Sequence, residues 1–346
     1  MVSGMLIYGP LRTSPRWIWL AVVCLIFGNG CATVPYRYSR FHPPEEDAQT
    51  EVVFDYGKPQ KTLDNIAWLT GIWSRILSLN SHVNNHDLTD ETRAKLTAYL
   101  EENDLGDVLV RVNQYDPRGE WRRLRENRRV AAGWRYSAGL VSMAHYTLLP
   151  GRVFGGDTYN PFTNTLYINS DVSAVVLHEA AYAKDIHSQP LPGTYAVFNE
   201  LPVMSLWRHT KGVNDILGYA RTNDDWTVER ETYRVVYPQM GVHSMALTGT
   251  FSPWWEGILF TVAGATAGHV TGQVAISIRK KEREAQQEEL ALEESPESEQ
   301  RLETSPELGP PQSKIQFTDH KTESVNESDS PNEDALPSRT VREKRE

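Results

Sequence analysis

The chain has 346 residues, of which 23% are charged, and its formal net charge is -10. This length is enough for one good-sized core or two small ones. Most of the negative charge lies in the segment from Arg279 to Glu346, where 11 Lys and Arg stand against 18 Asp and Glu. The nearly neutral remainder gives no reason to expect nucleic acid as a partner.

The N-terminus has the features of a signal peptide. A 12-residue apolar run over 17–28 follows two arginines, and it is shorter than the stretch of about 20 residues that spans a bilayer. The run leads into Cys31 and resembles the end of a bacterial lipobox, although Gly28 stands where a Leu is usual. We predict a signal peptide over 1–31 that leaves Cys31 lipidated. An uncleaved anchor or an ordinary signal peptide is the alternative.

A linker over 32–56 is predicted to precede a folded domain over 57–250, which contains no cysteine and must therefore fold without a disulfide. Helical and alternating apolar patterns follow one another along this domain. The predicted elements are helices over 63–79 and 89–100, a strand over 107–113, a helix over 117–129, a strand over 139–149, a short strand within 160–169 and a helix over 171–187. Ser170 or Ser173 can cap the last helix.

That last helix carries half of a zinc-peptidase motif. Such a site needs two His one helical turn apart to bind one metal, and a Glu beside the first to act as general base. His178 and Glu179 fill two of these roles, but the position of the second His is Tyr182. A phenol with a pKa near 10 is a poor zinc ligand at neutral pH. His187, nine residues after His178, falls on the opposite face of the helix and cannot share the metal.

Around this motif the sequence resembles a bacterial family of membrane-anchored lipoproteins with a gluzincin-like domain. The family pattern is similar to NPFTNT, then SD after a strand, then HExxHAKD, GTYA, LP and a late ND. The matching pieces here are Asn160 to Thr165, Ser170-Asp171, His178-Glu179 with Ala183-Lys184-Asp185, Gly193 to Ala196, Leu201-Pro202 and Asn214-Asp215. The resemblance implies a zincin-like α+β fold with the motif on a central helix.

In that family a Glu shortly before ND completes the zinc shell, and His209 stands at this position here. The chain thus departs from the pattern at two of three ligand positions and keeps Glu179. One interpretation is a pseudo-enzyme that has lost zinc. A second is that His178 and His209 hold zinc with a third group such as Glu200 or Asp185, with Glu179 as general base. For Glu200, a position that caps a helix or faces solvent is the alternative. A third interpretation is that the His-Glu pair is structural.

Residues 258–278 contain no Asp, Glu, Lys or Arg and are followed at once by a basic cluster. We predict a transmembrane helix over 257–278, with the C-terminal end in the cytoplasm by the positive-inside rule. Gly264, Gly268 and Gly272 share one helix face and would let another helix approach closely, which suggests a homo-oligomer. A glycine-rich helix buried in a soluble core is the alternative.

The acidic segment over 279–346 is rich in Glu, Gln, Ser and Pro, so we predict a disordered tail.

We expect a zincin-like domain on the outer side of the cell membrane that binds a peptide or protein partner without catalysis. The alternatives are an active zinc metallopeptidase with an atypical ligand set and a glycine-zipper membrane oligomer.

Overall fold

A computed structural model describes residues 36–39, 41, 51–58, 61–249 and 254–293. The predicted signal peptide, with its lipidation site Cys31, and the acidic tail after Glu293 lie outside these residues. The chain divides into two compact units, residues 1–287 and residues 288–346. Of the second unit only the helical residues 288–293 are described.

The described residues form a mixed α+β structure with one small sheet, which confirms the fold class at this level. The strands are β1 (Phe54–Tyr56), β2 (Leu109–Val112), β3 (Thr158–Asn160) and β4 (Thr165–Ile168). The first helices are α1 (Lys61–Thr70), α2 (Ile72–Ser78), α3 (Asp90–Glu102), α4 (Pro117–Glu126), α5 (Ala132–Arg135), α6 (Ala138–Leu148) and α7 (Gly151–Phe154). The later helices are α8 (Ser173–His187), α9 (Pro192–Asn199), α10 (Pro202–Thr222), α11 (Trp226–Glu231), a π-helical turn (Thr232–Val236), α12 (Tyr237–Gly249) and α13 (Trp254–Glu293).

The strand order in the sheet is β1-β2-β4-β3. Strands β1, β2 and β4 are parallel, with Val110 in register with both Phe54 and Leu166. Strand β3 runs antiparallel to β4 and forms an edge. The turn between them places Asn164 at φ 54°, a left-handed conformation that Asn tolerates better than most residues.

Helix α8 is the centre of the core. All of its 15 residues except Asp185 are buried, as expected for a helix with apolar and small residues on every side. It packs against β3, β4, α3 and α10, so its position is set by both the sheet and the helices. A side chain on this helix is therefore held in place by the whole fold.

Several local predictions were wrong. The strand predicted over 139–149 is helix α6, whose buried residues Gly139, Met143 and Tyr146 follow helical spacing. The helix predicted over 63–79 is interrupted at Gly71, and β1 and β3 are strands of three residues each that were not predicted.

The proposed serine cap of α8 was also wrong. The N-cap residue of α8 is Val172, which makes no side-chain cap hydrogen bond. The hydroxyl of Ser170 instead donates to the carboxylate of Asp157, and Ser173 is already the first helical residue. The helix prediction itself, over 171–187, is confirmed to within two residues.

Part of the predicted linker over 32–56 is packed on the body. We call residues 36–39 and 41 the N-terminal strap. Lys184 Nζ donates to the carbonyl oxygen of Arg37 at 2.8 Å and lies 4.0 Å from the centre of the Tyr36 ring. The strap is thus fixed to the C-terminal half of α8, because the ammonium group of Lys184 makes both a hydrogen bond and a cation–π contact with it.

The C-terminal end of helix α10 receives both the strap and helix α13. The Tyr38 hydroxyl donates to Asn223 Oδ1 at 3.4 Å. Arg283 on α13 forms an ion pair with Asp224, the next residue. Segments from opposite ends of the described chain therefore meet at this point.

Within the part of the chain that the structure describes, no helix is long and apolar enough to cross a membrane. The segment 257–278, for which a transmembrane helix was predicted, lies inside α13, where residues such as Thr261, His269 and Gln273 interrupt the apolar sequence. Helix α13 continues to Glu293, so the disordered tail predicted from 279 begins as helix.

The glycines of α13 face another helix of the same chain. A Cβ added to Gly264 would lie 2.2 Å from the carbonyl oxygen of Gly241, and one added to Gly268 would lie 2.5 Å from Pro238 Cα. A Cβ on Gly272 would lie 2.0 Å from the carbonyl oxygen of Tyr233. The close helix approach predicted for these glycines is therefore present, but it joins α13 to the π-helical turn and α12.

Candidate functional site

The His-Glu pair of α8 borders a cavity of about 330 Å³. Helix α8 contributes His178 and Glu179, helix α10 contributes Arg208 and His209, and helix α12 contributes His243. The opposite wall comes from α2 and from the segment that leads into β3. The cavity thus has the size of a small-ligand or side-chain pocket and a polar lining on one side.

Three His rings form a row along this wall. The rings of His178 and His209 are stacked, with centroids 5.2 Å apart and planes 5° apart, and the rings of His209 and His243 are 4.5 Å apart. Gly212 makes the row possible, because a Cβ there would lie 2.9 Å from the His178 ring.

Burial lowers the pKa of His209 well below its usual value, and neighbouring positive charge adds to this effect. Burial lowers the pKa of His243 as well. Both rings are therefore neutral at pH 7. Sequence reasoning did not select His243 as a site residue, since it lies on a later helix and no local motif marks it.

Glu179 has both carboxylate oxygens engaged. Oε1 lies 3.2 Å from His178 Nδ1, and Oε2 accepts from the backbone N–H of Tyr159 at 3.2 Å. Burial opposes the charged form of Glu179, but the hydrogen bond to His178 and the charge of Arg208 outweigh it and lower the pKa of this carboxyl. The group predicted as general base is thus ionised at neutral pH and is a weak base.

Tyr182, at the position of the missing second His, is buried away from the cavity lining. Arg208 covers its ring, with the guanidinium carbon 4.4 Å from the ring centre. Burial raises the pKa of Tyr182 to about 12, so the phenol stays neutral. On its other side, Arg208 Nη2 donates to His209 Nε2 at 3.2 Å.

The other candidate third ligands lie elsewhere. Glu200 ends helix α9 with its side chain 72% exposed, and its nearest cation is Arg208 at 4.0 Å. Asp185 forms an ion pair with Lys211 and accepts from the Tyr195 hydroxyl at 2.7 Å. His187 faces Asn164 at 3.0 Å on the opposite side of α8, as its spacing predicted. The cavity therefore receives none of these three.

The side chains present do not fit a zinc ion. His178 and His209 are brought together, but His178 Nε2 lies 3.3 Å from the His209 backbone oxygen and His209 Nε2 accepts from Arg208. Among the described residues no group of three or more His, Cys, Asp or Glu is arranged to hold a metal. The predicted ligand set of His178, His209 and Glu200 is thus not assembled in this structure.

Much of the remaining motif builds the frame around α8. Lys184 Nζ donates to Asp215 Oδ1 at 2.7 Å, which joins the AKD and ND pieces. The carboxylate of Asp185 accepts a hydrogen bond from the hydroxyl of Tyr195, which belongs to the GTYA piece. These contacts fasten α8 to α9 and α10, so these sequence pieces hold the helix that carries His178.

No protein-family model, curated protein or solved structure matches this chain. Membership of the lipoprotein family and the zincin-like nature of the domain therefore stay predictions that rest on the motif residues.

Proposed function

We propose that this protein is a membrane-attached, non-catalytic binding module, a zincin-like domain whose cleft holds a peptide segment of a partner. One observation carries the proposal. At both positions where the chain departs from the zinc pattern, Tyr182 and His209, the side chain is in contact with the guanidinium of Arg208. A fixed cation stands beside the two positions from which a metal would be bound.

A zinc ion in this cleft would be repelled by Arg208. At a separation of about 5 Å and an effective dielectric constant of about 20, a divalent ion and a guanidinium repel by about 7 kcal/mol. The two imidazoles alone would have to offset this repulsion, because no carboxylate stands at the position of the third ligand. The arrangement favours binding through the protein's own side chains.

The order of elements supports a zincin-like architecture. Three parallel strands are followed by an antiparallel edge strand, β3, at one side of the sheet, and the helix with His178 packs beneath it. Thr158, the first residue of β3, is exposed and lines the cleft. Extended peptides commonly bind beside an edge strand, which is why we assign a peptide as the occupant.

Membrane attachment rests on the Gly30-Cys31 sequence after the apolar run. A diacylated cysteine would supply the strong anchoring that one short apolar segment does not. Radioactive palmitate incorporation into the wild-type chain, and its loss in Cys31→Ala, is the expected result. Equal labelling of both proteins would contradict this part of the proposal.

The non-catalytic part of the proposal is tested by elemental analysis of the full-length protein after dialysis against micromolar zinc, beside His178→Ala. We expect far less than one zinc per chain in both proteins, and no hydrolysis of a casein or peptide-library substrate. One zinc per chain in the wild type, lost in His178→Ala, would overturn the non-catalytic proposal and restore the metallopeptidase.

A further inference from the structure

We infer that Arg208 recognises a carboxylate, and that the cleft binds the C-terminal end of a peptide by its free α-carboxylate. This inference rests on the proposed binding function and adds the chemical class of the ligand. It concerns the same cavity of about 330 Å³ that Arg208, His209 and His243 border.

Arg208 is the only Lys or Arg among the described residues that line this cavity. A guanidinium has five N–H donors. Its hydrogen bond within the described part of the chain goes to a neutral acceptor, His209 Nε2, at 3.2 Å. Its nearest carboxylate partner, Glu200, lies at 4.0 Å with a side chain that is 72% exposed. Donors of Arg208 are thus left for a ligand.

The guanidinium is also held in one position. The ring of Tyr182 supports one face of it at 4.4 Å, and the hydrogen bond to His209 fixes its rotation. Its side chain is only 17% exposed. A planar guanidinium that is already immobilised binds a carboxylate through two parallel hydrogen bonds at low entropic cost.

The acidic residues of the cleft do not compete for this role. Both oxygens of Glu179 are engaged, by His178 and by the N–H of Tyr159. In Asp157, Oδ1 accepts from the backbone N–H of Asn169 at 2.7 Å and Oδ2 accepts from the Ser170 hydroxyl. The charge of Glu179 acts on the guanidinium of Arg208, but neither carboxylate takes up its N–H donors, which stay available to an incoming ligand.

The shape of the cavity favours the C-terminus of a peptide as the ligand. The cavity has the volume of one or two residues, and the edge strand β3 begins at its wall with Thr158 exposed. A peptide that runs along this wall can place its last residue in the cavity and its carboxylate on the guanidinium. An internal segment would bring neutral amides to a buried cation and leave it unpaired.

Equilibrium dialysis of a mixture of random N-acetyl-tripeptides, in free-acid and C-terminal amide forms, tests the inference with the full-length protein. Retained peptides are identified by mass spectrometry. We expect retention of the free acids at least tenfold above the amides, whether or not a peptide contains Asp or Glu. Arg208→Gln should abolish the difference between acids and amides. Arg208→Lys should reduce it several-fold, because an ammonium group cannot form the two parallel hydrogen bonds of a guanidinium. Arg118→Gln, an exposed control on α4, should keep the difference.

Equal retention of acids and amides by the wild type would overturn the carboxylate inference and leave the binding function standing. Retention of amides only when they contain Asp or Glu would overturn the choice of the chain terminus. If neither mixture is retained, both the inference and the proposed binding function fail. The acid-to-amide comparison needs no variant, so misfolding of Arg208→Gln would not weaken the test.

Discussion

The guanidinium of Arg208 lies 4.4 Å from the centre of the Tyr182 ring, and Tyr182 stands four residues after His178, where the zinc-peptidase sequence motif has its second His. The guanidinium lies over the aromatic face, and the buried phenol oxygen makes no hydrogen bond of good geometry among the described residues, although it lies close enough to Arg208 for their charges to interact. A buried cation–π pair contributes up to about 2 kcal/mol.

Two substitutions of Tyr182 should therefore distinguish the contribution of the ring to stability from that of the hydroxyl. We expect Tyr182→Phe to keep the free energy of unfolding within about 1 kcal/mol of the wild type, because the ring remains. Tyr182→Leu should lower it by about 1–3 kcal/mol, since both the cation–π contact and part of the packing are lost. Urea unfolding followed by tryptophan fluorescence measures both. Equal losses in the two variants would argue against the ring contact.

Lys184 and Asp215 form a second pair whose loss should free the N-terminal strap. The amine is buried and also donates to the backbone of Arg37, so Lys184→Met leaves a carboxylate without its partner. We expect about 3 kcal/mol of lost stability and faster proteolysis within residues 36–41. Adding Asp215→Asn should recover part of the stability, because the unpaired charge is removed.

Lys281→Met, at an exposed position of α13, is the matched control for this experiment. It should change neither the stability nor the proteolysis rate. Protection of residues 36–41 in Lys184→Met equal to that in the control would show that the strap is held by its aromatic contacts alone.

Glu229 makes the stability of the α13 contact pH-dependent. Its side chain is 1% exposed and bridges Arg221 at 2.9 Å and Arg279 at 2.7 Å. Burial opposes ionisation, but the hydrogen bonds from Arg279 and Arg221 outweigh it and lower the pKa of Glu229. The stabilisation is thus fully present above the unfolded pKa of about 4.3 and is lost as pH falls through the lower folded value.

Glu229→Gln should lower the free energy of unfolding by about 2–4 kcal/mol at pH 7. The difference from the wild type should stay constant down to about pH 5 and shrink below about pH 4. Urea unfolding over this pH range measures it, with the exposed Glu126→Gln as control. A difference that does not change with pH would show that the loss is one of packing and not of charge.

Gly268 tests whether the glycine face of α13 serves the fold or an oligomer. A Cβ there would meet backbone atoms of Tyr237 and Pro238 at 2.5 Å, whereas a Cβ on Gly257 meets no described atom within 4 Å. We expect Gly268→Ala to cost about 1–3 kcal/mol of stability and Gly257→Ala to add up to about 1 kcal/mol. Loss of oligomers at unchanged stability would instead support the glycine-zipper alternative.

The parts of the fold that sequence predicted well are those with a strong local signal. Helix α8 was found because an apolar run of helix length surrounds His178, and α3 because Thr89 caps it with a side-chain oxygen. Helix α6 was taken for a strand, since it is short and apolar all round. Its identity comes from packing: a Cβ on Gly139 would lie 2.8 Å from Leu124, so the helix sits close to α4.

For the cleft, His178, Glu179 and His209 were predicted, and the structure places all three on its wall. The roles of Arg208 and His243 could not be predicted. Arg208 is one charge on a helix with many polar residues, and His243 reaches the site only because α12 folds back over α10. Such tertiary neighbours have no periodic pattern in the sequence.

The meeting of the strap and α13 at Asn223 and Asp224 also bears on the order in which the chain folds. The hydrogen bond from Tyr38 to Asn223 closes a loop of 185 residues, and that between His269 and Leu77 closes one of 192. Contacts of such high sequence separation form late, because the entropy of loop closure must be lost first. A chain synthesised from its N-terminus can therefore form the contacts of α13 with Leu77 and Asp224 only after His269 and Arg283 have emerged, when the rest of the core is already complete.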